Sequence, residues 1–173
     1  SDLKEYSSEF NFIVDEIDAQ EIEKIAISST KIRNSINQGD LETTRKYLGR
    51  FFSLTGKVVK GDGLGKQIDY PTANILIEED YKIIPKDGVY YIRTTIDNKL
   101  YNGMMNIGHR PTIGNKAKSI EVNLFNFDRD IYDKVIRVDV VVKIRDEKKF
   151  SSINALKAQL AKDEEHCLKL INK

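Results

Sequence analysis

Residues 135–143 read VIRVDVVVK, an alternation of apolar and mostly polar side chains that decides the fold class of this chain. Successive side chains of a strand point to opposite faces, so a period of two indicates a half-buried strand. One face would carry Ile136, Val138, Val140 and Val142, and the other Arg137, Asp139, Val141 and Lys143. The stretch therefore predicts a strand that lays one face on an apolar core.

Similar alternation recurs after residue 50. Further strands are predicted at 52–59, 74–77, 89–95, 100–107 and 119–127, separated by turns that contain Gly, Asp, Asn or Pro. Many short strands without helices between them indicate an antiparallel sandwich or barrel. From Ser151 the apolar period becomes helical. We therefore expect a mainly β domain on which a C-terminal helix packs.

The first fifty residues show a different pattern. An apolar run at 10–17 predicts a short strand. Two helices are predicted: one at 31–38, capped by Ser28, Ser29 or Thr30 and ended by Gly39, and one at 41–48, capped by Asp40 and ended by Gly49. The change near residue 50 predicts a boundary between a short α/β or helical segment, 1–50, and a β domain, 51–173.

Composition and charge exclude several classes of protein. Lys and Arg number 28 against 27 Asp and Glu, for a net charge of +1, whereas a nucleic-acid binder normally has a basic face. The single cysteine, Cys167, excludes an intrachain disulfide and is typical of a reducing compartment. No apolar run is long enough to cross a bilayer, and the polar start SDLKE lacks the features of a signal peptide. The sequence predicts a cytoplasmic protein that binds neither nucleic acid nor membrane and needs no obligate protein partner.

A glycine-rich loop follows the strand predicted at 52–59. Residues 61–66 read GDGLGK. Glycines let the backbone approach a ligand closely, and successive N–H groups beside a lysine suit a polyphosphate. The residues concerned are Gly61, Gly63, Gly65 and Lys66. A Walker P-loop is excluded, because it needs Gly and Ser or Thr where this chain has Lys60 and Gln67. A turn that binds nothing is the alternative.

Residues 70–74, YPTAN, place polar side chains beside a proline. Proline fixes its own φ, so Thr72 and Asn74 offer neutral oxygens at a defined angle. A magnesium ion that bridges nucleotide phosphates keeps several waters and needs few protein ligands, which two such oxygens match. The spacing is also typical of an Asx or ST turn that enters a strand.

Two further polar residues belong to predicted strands or their ends. Arg110 lies in the cluster 106–112, NIGHRPT, where a strand ends. By alternation Glu121 shares a face with Asn123, Phe125 and Phe127. A carboxylate beside aromatic residues can act as a general base, although most single carboxylates on strands are solvated or ion-paired.

These elements occur in the order found in one enzyme family. Residues 51–173 resemble the riboflavin kinase domain of bacterial bifunctional riboflavin kinase/FAD synthetases. The matching positions are 56–58, 61–66, 70–74, 85–90, 106–112, 121, 127–132 and 144–150. The Pro-Thr-Ala-Asn element is highly specific to that family. Asp69 and Asp133 stand where the family usually has glycine, and both positions are predicted to lie in turns.

The resemblance implies a fold and an activity. The expected fold is a small closed antiparallel barrel of about six strands with a C-terminal helix. The expected reaction transfers phosphate from ATP to riboflavin with Mg²⁺, giving FMN and ADP. Thr72 and Asn74 would then bind magnesium and nucleotide, the glycine loop would hold phosphates, Glu121 would be the base toward the ribityl hydroxyl, and Arg110 would line the cleft. A flavin- or nucleotide-binding barrel without catalysis is the alternative.

The first fifty residues resemble the end of the FMN adenylyltransferase domain of the same proteins. Residues 27–33, ISSTKIR, match a motif in which a helix N-terminus and an arginine meet ATP phosphates. The His-x-Gly-His element of that chemistry is absent, since His109 and His166 are the only histidines and neither has that context. Neither histidine is assigned a catalytic role, and we expect these 173 residues to form no FAD.

Overall fold

Strands dominate the protein, which a computed structural model describes at residues 2–15, 21–22, 25–61, 65, 68–109 and 118–171. Four helices and eight strands lie within those residues. In chain order they are α1 (Asp2–Phe10), β1 (Glu21–Ile22), β2 (Ile25–Ala26), α2 (Ser29–Gln38), α3 (Leu41–Leu48), β3 (Phe52–Val59), β4 (Ala73–Leu76), β5 (Gly88–Ile96), β6 (Lys99–His109), β7 (Lys118–Leu124), β8 (Val135–Arg145) and α4 (Ile153–Ile171).

Six of the strands close into an antiparallel barrel in the order β3-β4-β7-β6-β5-β8. Inward side chains from all six strands form its core, among them the fully buried Val58, Ile92, Met105, Val122 and Val138. The fold expected from the sequence, a closed six-stranded barrel followed by a C-terminal helix, is confirmed.

The predicted ends of α2 and α3 are confirmed. The Ser28 side chain accepts a hydrogen bond from the Lys31 N–H at 3.3 Å, and α2 ends at Gly39. The Asp40 carboxylate accepts one from the Thr43 N–H at 3.0 Å, and α3 ends at Gly49. Each cap satisfies a backbone N–H that the helix itself leaves without an acceptor.

The strand predicted at 10–17 is wrong over the residues that the structure describes. Phe10 is the last residue of α1, and 11–15 have no strand conformation; 16–17 lie outside the described residues. Leu3, Tyr6 and Phe10 have helical spacing, and the rings of Tyr6 and Phe10 lie 6.2 Å apart. Phe12, Ile13 and Val14 extend the apolar run beyond Phe10, so the run was interpreted as a strand and the helical spacing before it was not recognised.

The alternation predicted along 135–143 holds only as far as Val140. Ile136, Val138 and Val140 lie in the barrel core, but Val142 packs outside it with Tyr91. A register shift causes the change, because Tyr91 pairs with Val142 whereas the next residue, Ile92, pairs with Val140. The extra residue on β8 reverses the faces beyond it.

The strand predicted at 119–127 ends at Leu124. A turn follows at residues 125–126, where Asn126 has a φ of 54°. Glu121 and Asn123 share the outward face as expected, and Phe125 packs in the outer apolar cluster. The turn carries Phe127 to the core side, so its predicted place on the Glu121 face is wrong.

The C-terminal helix α4 covers one outer side of the barrel. Its buried Cys167 packs against Val89, Tyr91, Met104 and Phe125. These contacts confirm the expectation that the helix packs on the barrel. No helix among the described residues is long and apolar enough to cross a membrane.

Candidate functional site

Polar side chains form a row across three neighbouring strands on the outer face of the barrel. Asn74 on β4 pairs with Glu121 on β7, and Glu121 pairs with Asn106 on β6. Directly paired residues of antiparallel strands share a face. Asn74 is buried, whereas Glu121 and Asn106 are half-buried. The barrel register thus gathers two amides and one carboxylate from distant parts of the chain.

The Pro-Thr-Ala-Asn segment lies against Glu121. The Thr72 hydroxyl donates to Glu121 Oε2 at 3.5 Å, a long hydrogen bond. Asn123 Nδ2 donates to the carbonyl oxygen of Pro71 at 2.8 Å. Since Asn123 is buried on the same strand face as Glu121, this bond sets the position of Thr72 relative to the carboxylate.

The ends of the glycine loop lie over Thr72 and Asn74. A Cβ on Gly61 would clash with the Asn74 amide. A Cβ on Gly65 would overlap the Tyr70 carbonyl and come within 3.2 Å of Thr72 Oγ1. Glycine is therefore required for this close approach. Gly63, Lys66 and Arg110 lie outside the described residues.

Two pockets meet at Thr72. The helix-side pocket, of about 240 Å³, lies between the barrel and α4, and its walls include Glu121, Met104, Phe150 and Leu160. The barrel-end pocket, of about 310 Å³, is lined by residues that include Phe127, Asp128, Ile131 and Tyr132. Thr72 lines both pockets, so the two pockets are neighbours at this residue.

Charged groups differ between the two pockets. Asp128, Arg129 and Asp130 line the barrel-end pocket, and Lys60 Nζ lies 5.8 Å from the centre of its Tyr132 ring. The helix-side pocket has Met104, Phe150 and Leu160 on its apolar walls, with Glu121, Arg145, Glu147 and Lys148 at its polar edge. The helix-side pocket therefore suits a flat, largely apolar molecule that carries a polar chain, and the barrel-end pocket suits a charged one.

Contacts between α4 and the barrel complete the helix-side pocket. Arg145 Nη2 lies 2.8 Å from Asp163 Oδ2, and its Nε donates to the same carboxylate at 2.9 Å. The Tyr70 hydroxyl donates to Glu164 Oε2 at 3.1 Å. Burial raises the pKa of Tyr70, and the hydrogen bond to Glu164 raises it further. Tyr70 is therefore a neutral donor at physiological pH.

The two positions that depart from the family pattern keep turn geometry. Asp69 has a φ of 63° and Asp133 a φ of 62°, a left-handed conformation that aspartate tolerates better than most residues. Asp69 also pairs with Lys157 at 2.5 Å and Asp133 with Lys57 at 2.8 Å. Hydrogen bonding and charge attraction to Lys57 lower the pKa of Asp133.

The side-chain oxygen atoms of Thr72 and Asn74 suit a hard cation that takes few protein ligands. No group of three His, Cys, Asp or Glu side chains clusters as a metal site within the described part of the chain. Thr72 and Asn74 carry neutral oxygens on one side of Glu121. Such oxygens fit Mg²⁺, which keeps most of its waters when it bridges phosphates.

Several residues of the site were given no role by the sequence reasoning. The sequence placed Asn123 on the correct face of its strand but indicated no hydrogen-bond partner for it. Arg145 and Phe150 were identified only as positions that match the family. Glu147, which contacts Gly108, was missed altogether. His109 Nδ1 lies 2.7 Å from Asp87 Oδ2 and lines neither pocket.

Sequence comparisons with known families and proteins converge on one description. The sequence model of the family described as "Flavokinase: Riboflavin kinase" matches residues 48–171. A bifunctional riboflavin kinase/FMN adenylyltransferase of Bacillus subtilis (strain 168) is 38% identical over 146 residues, covering 83% of this chain and 46% of the relative. The protein of that name from Buchnera aphidicola subsp. Schizaphis graminum is 40% identical over 174 residues, covering 98% of this chain and 55% of the relative. The chain therefore spans about half the length of these curated relatives.

Two solved structures share the fold. Riboflavin kinase from Trypanosoma brucei is 25% identical with a TM-score of 0.50, covering 70% of this chain and 80% of that one. A crystal structure titled macrolide-efflux protein, from Streptococcus pneumoniae, is 38% identical with a TM-score of 0.79, covering 85% of this chain and 48% of that one.

Proposed function

This chain belongs to the riboflavin kinase family, and on that premise we propose that it transfers the γ-phosphoryl group of MgATP to the 5′-hydroxyl of riboflavin, giving FMN and ADP. The observation that carries the proposal is the meeting of two pockets at Thr72, with Glu121 at 3.5 Å from its hydroxyl. A phosphoryl donor and an acceptor need such adjacent sites, because transfer is mainly a matter of positioning and charge stabilisation.

In the proposed arrangement riboflavin occupies the helix-side pocket. Its isoalloxazine ring would contact Met104, Phe150 and Leu160, and its ribityl chain would lead toward Glu121. The nucleotide occupies the barrel-end pocket, with its phosphates near Thr72 and under the glycine loop. Gly63, Lys66 and Arg110 are proposed as further phosphate contacts from the sequence pattern.

Each polar side chain then has one task. Glu121 accepts the proton of the attacking hydroxyl. Thr72 and Asn74 hold the metal-bound phosphates, and Asn123 keeps Thr72 beside the carboxylate. Magnesium would supply positive charge to the phosphate oxygens during transfer. Arg145, paired with Asp163, fixes α4 against the barrel so that water is excluded from the flavin side.

We further propose that residues 51–173 form the kinase and that 1–50 correspond to the end of the adenylyltransferase part. The kinase family model begins at residue 48, whereas the alignment with the bifunctional Buchnera relative covers 98% of this chain, and together they support that division.

The cytoplasm is the proposed compartment, supported by the free thiol of Cys167.

The function is tested by incubating the 173-residue polypeptide with riboflavin and MgATP and separating the flavins by chromatography. We expect riboflavin to give FMN and no FAD, and we expect added FMN to give no new product. Absence of FMN would overturn the kinase proposal and favour a binding module. FAD formed as fast as FMN would instead overturn the proposed division of the chain.

Replacing Thr72 or Asn74 tests the proposed metal and phosphate contacts. Thr72→Ala and Asn74→Ala should each weaken MgADP binding by about 10–100-fold, the usual worth of a contact to a charged group. Thr95→Ala, an exposed threonine on β5, is the matched control and should bind normally. Calorimetry measures the affinity. Unchanged affinity in both site variants, with normal melting, would make the segment a structural turn.

A further inference from the structure

A separate cleft lies at the junction of α3, the barrel and the end of α4. It has a volume of about 450 Å³ and shares no residue with the two pockets that meet at Thr72. Phe51 supplies aromatic surface, Val142 and Leu170 supply apolar walls, and the buried Tyr91 also borders the cleft. Arg45 from α3 and Arg93 from β5 also line it. We call it the Arg45/Arg93 cleft.

Both guanidinium groups lie against the same ring. The Arg45 Cζ atom is 4.3 Å and the Arg93 Cζ atom 5.7 Å from the centre of Phe51. Two like charges placed against one ring repel each other, and a bound anion would reduce that repulsion.

Neither arginine has a carboxylate partner within 4 Å among the described residues. Asp139 stands directly opposite Arg93 in the barrel, yet its Oδ1 atom pairs with Arg137 at 3.2 Å. Glu42 is the carboxylate that lines the cleft, and its Oε1 atom lies 3.8 Å from Lys46. The positive charge of the cleft is therefore not neutralised by an ion pair.

One of the two guanidinium groups is held in place. Arg93 Nε donates to the Tyr91 hydroxyl at 3.1 Å, and that hydroxyl donates to Asn102 Oδ1 at 2.7 Å. Tyr91 is fully buried, so this chain of hydrogen bonds fixes the Nε edge. The two terminal nitrogens keep donors for a ligand, and a planar guanidinium fixed in this way suits bidentate binding of phosphate oxygens.

We propose that the Arg45/Arg93 cleft binds an organic phosphate whose body is aromatic or apolar. The two arginines take the phosphate, and the surface formed by Phe51, Val142 and Leu170 takes the body. Free phosphate lacks the second contact and a neutral aromatic compound lacks the first, so both should bind more weakly than the combined ligand. The proposal is independent of the phosphotransfer reaction.

The test is a titration of the full chain with 1-naphthyl phosphate, followed by fluorescence anisotropy, with 1-naphthol and inorganic phosphate as comparison ligands. We expect saturable binding that persists when riboflavin, which carries no phosphate, is present in excess. Arg45→Gln and Arg93→Gln should each weaken it by about tenfold or more, the usual worth of a charged hydrogen bond. Arg50→Gln is the matched control, since this exposed arginine does not line the cleft.

Three results would overturn the proposal: no saturable binding up to about 1 mM ligand, binding abolished by riboflavin, or equal affinity in the parent and the double variant Arg45→Gln/Arg93→Gln. Circular dichroism of the double variant checks its fold. If it is unfolded, Phe51→Leu replaces it, and unchanged affinity in that variant has the same meaning.

Discussion

Glu121→Gln should lower kcat for FMN formation by about 10²–10⁴-fold while riboflavin and MgATP still bind. The glutamine keeps the shape of the side chain and a hydrogen-bond acceptor but cannot take the proton of the attacking hydroxyl. The loss corresponds to about 3–5 kcal/mol of transition-state stabilisation. If the transition state is loose and the proton moves late, the loss falls at the lower end of that range.

Steady-state kinetics and a flavin-binding titration on the same variant measure both quantities. Glu147→Gln is the matched control, because Glu147 lines the same pocket but has no role in proton transfer in the proposed mechanism. A kcat of Glu121→Gln within about threefold of the parent, where general-base catalysis predicts far more, would remove Glu121 from the mechanism. Lost flavin binding would make it a positioning residue.

Arg145→Met should lower the free energy of unfolding by about 3–5 kcal/mol, because it leaves the Asp163 carboxylate buried without its cation. The Asp163 side chain is only 3% exposed, and Gln159 Nε2, at 2.9 Å, is its other hydrogen-bond donor. The lower end of the range applies, since the Arg145 side chain is 19% exposed. Urea unfolding followed by circular dichroism measures the change.

Arg137→Met is the matched control on the same strand. Its partner Asp139 lies at 3.2 Å, but both side chains are well exposed, so the expected loss is below about 1 kcal/mol. The double variant Arg145→Met/Asp163→Leu should recover much of the stability, because no buried charge remains. If Arg145→Met and Arg137→Met lowered the free energy of unfolding equally, burial would not increase the contribution of the Arg145–Asp163 pair to stability.

Local patterns predicted most of the elements, because each depends on neighbours in sequence. The caps Ser28 and Asp40 satisfy N–H groups three residues away, so the starts of α2 and α3 could be predicted from sequence. Period two likewise located the barrel strands. It failed at Val142, because the register shift against Tyr91 and Ile92 is a property of two strands together.

The functional site depends on contacts between distant segments, which spacing alone does not reveal. Thr72 and Glu121 come together through the pairing of β4 with β7, and resemblance to a family, not periodicity, indicated their proximity. The bond from Asn123 to the Pro71 carbonyl has no sequence signature, because any polar residue at that position fits the alternation. The same holds for Arg145, whose partner Asp163 lies on α4.

Simultaneous measurement of ADP and FMN in the riboflavin and MgATP reaction tests most directly the claim that donor and acceptor meet at Thr72. Direct transfer between adjacent pockets predicts equal amounts of the two products, and neither when riboflavin or Mg²⁺ is left out. ADP released without riboflavin, or riboflavin bound without FMN formed, would contradict the account.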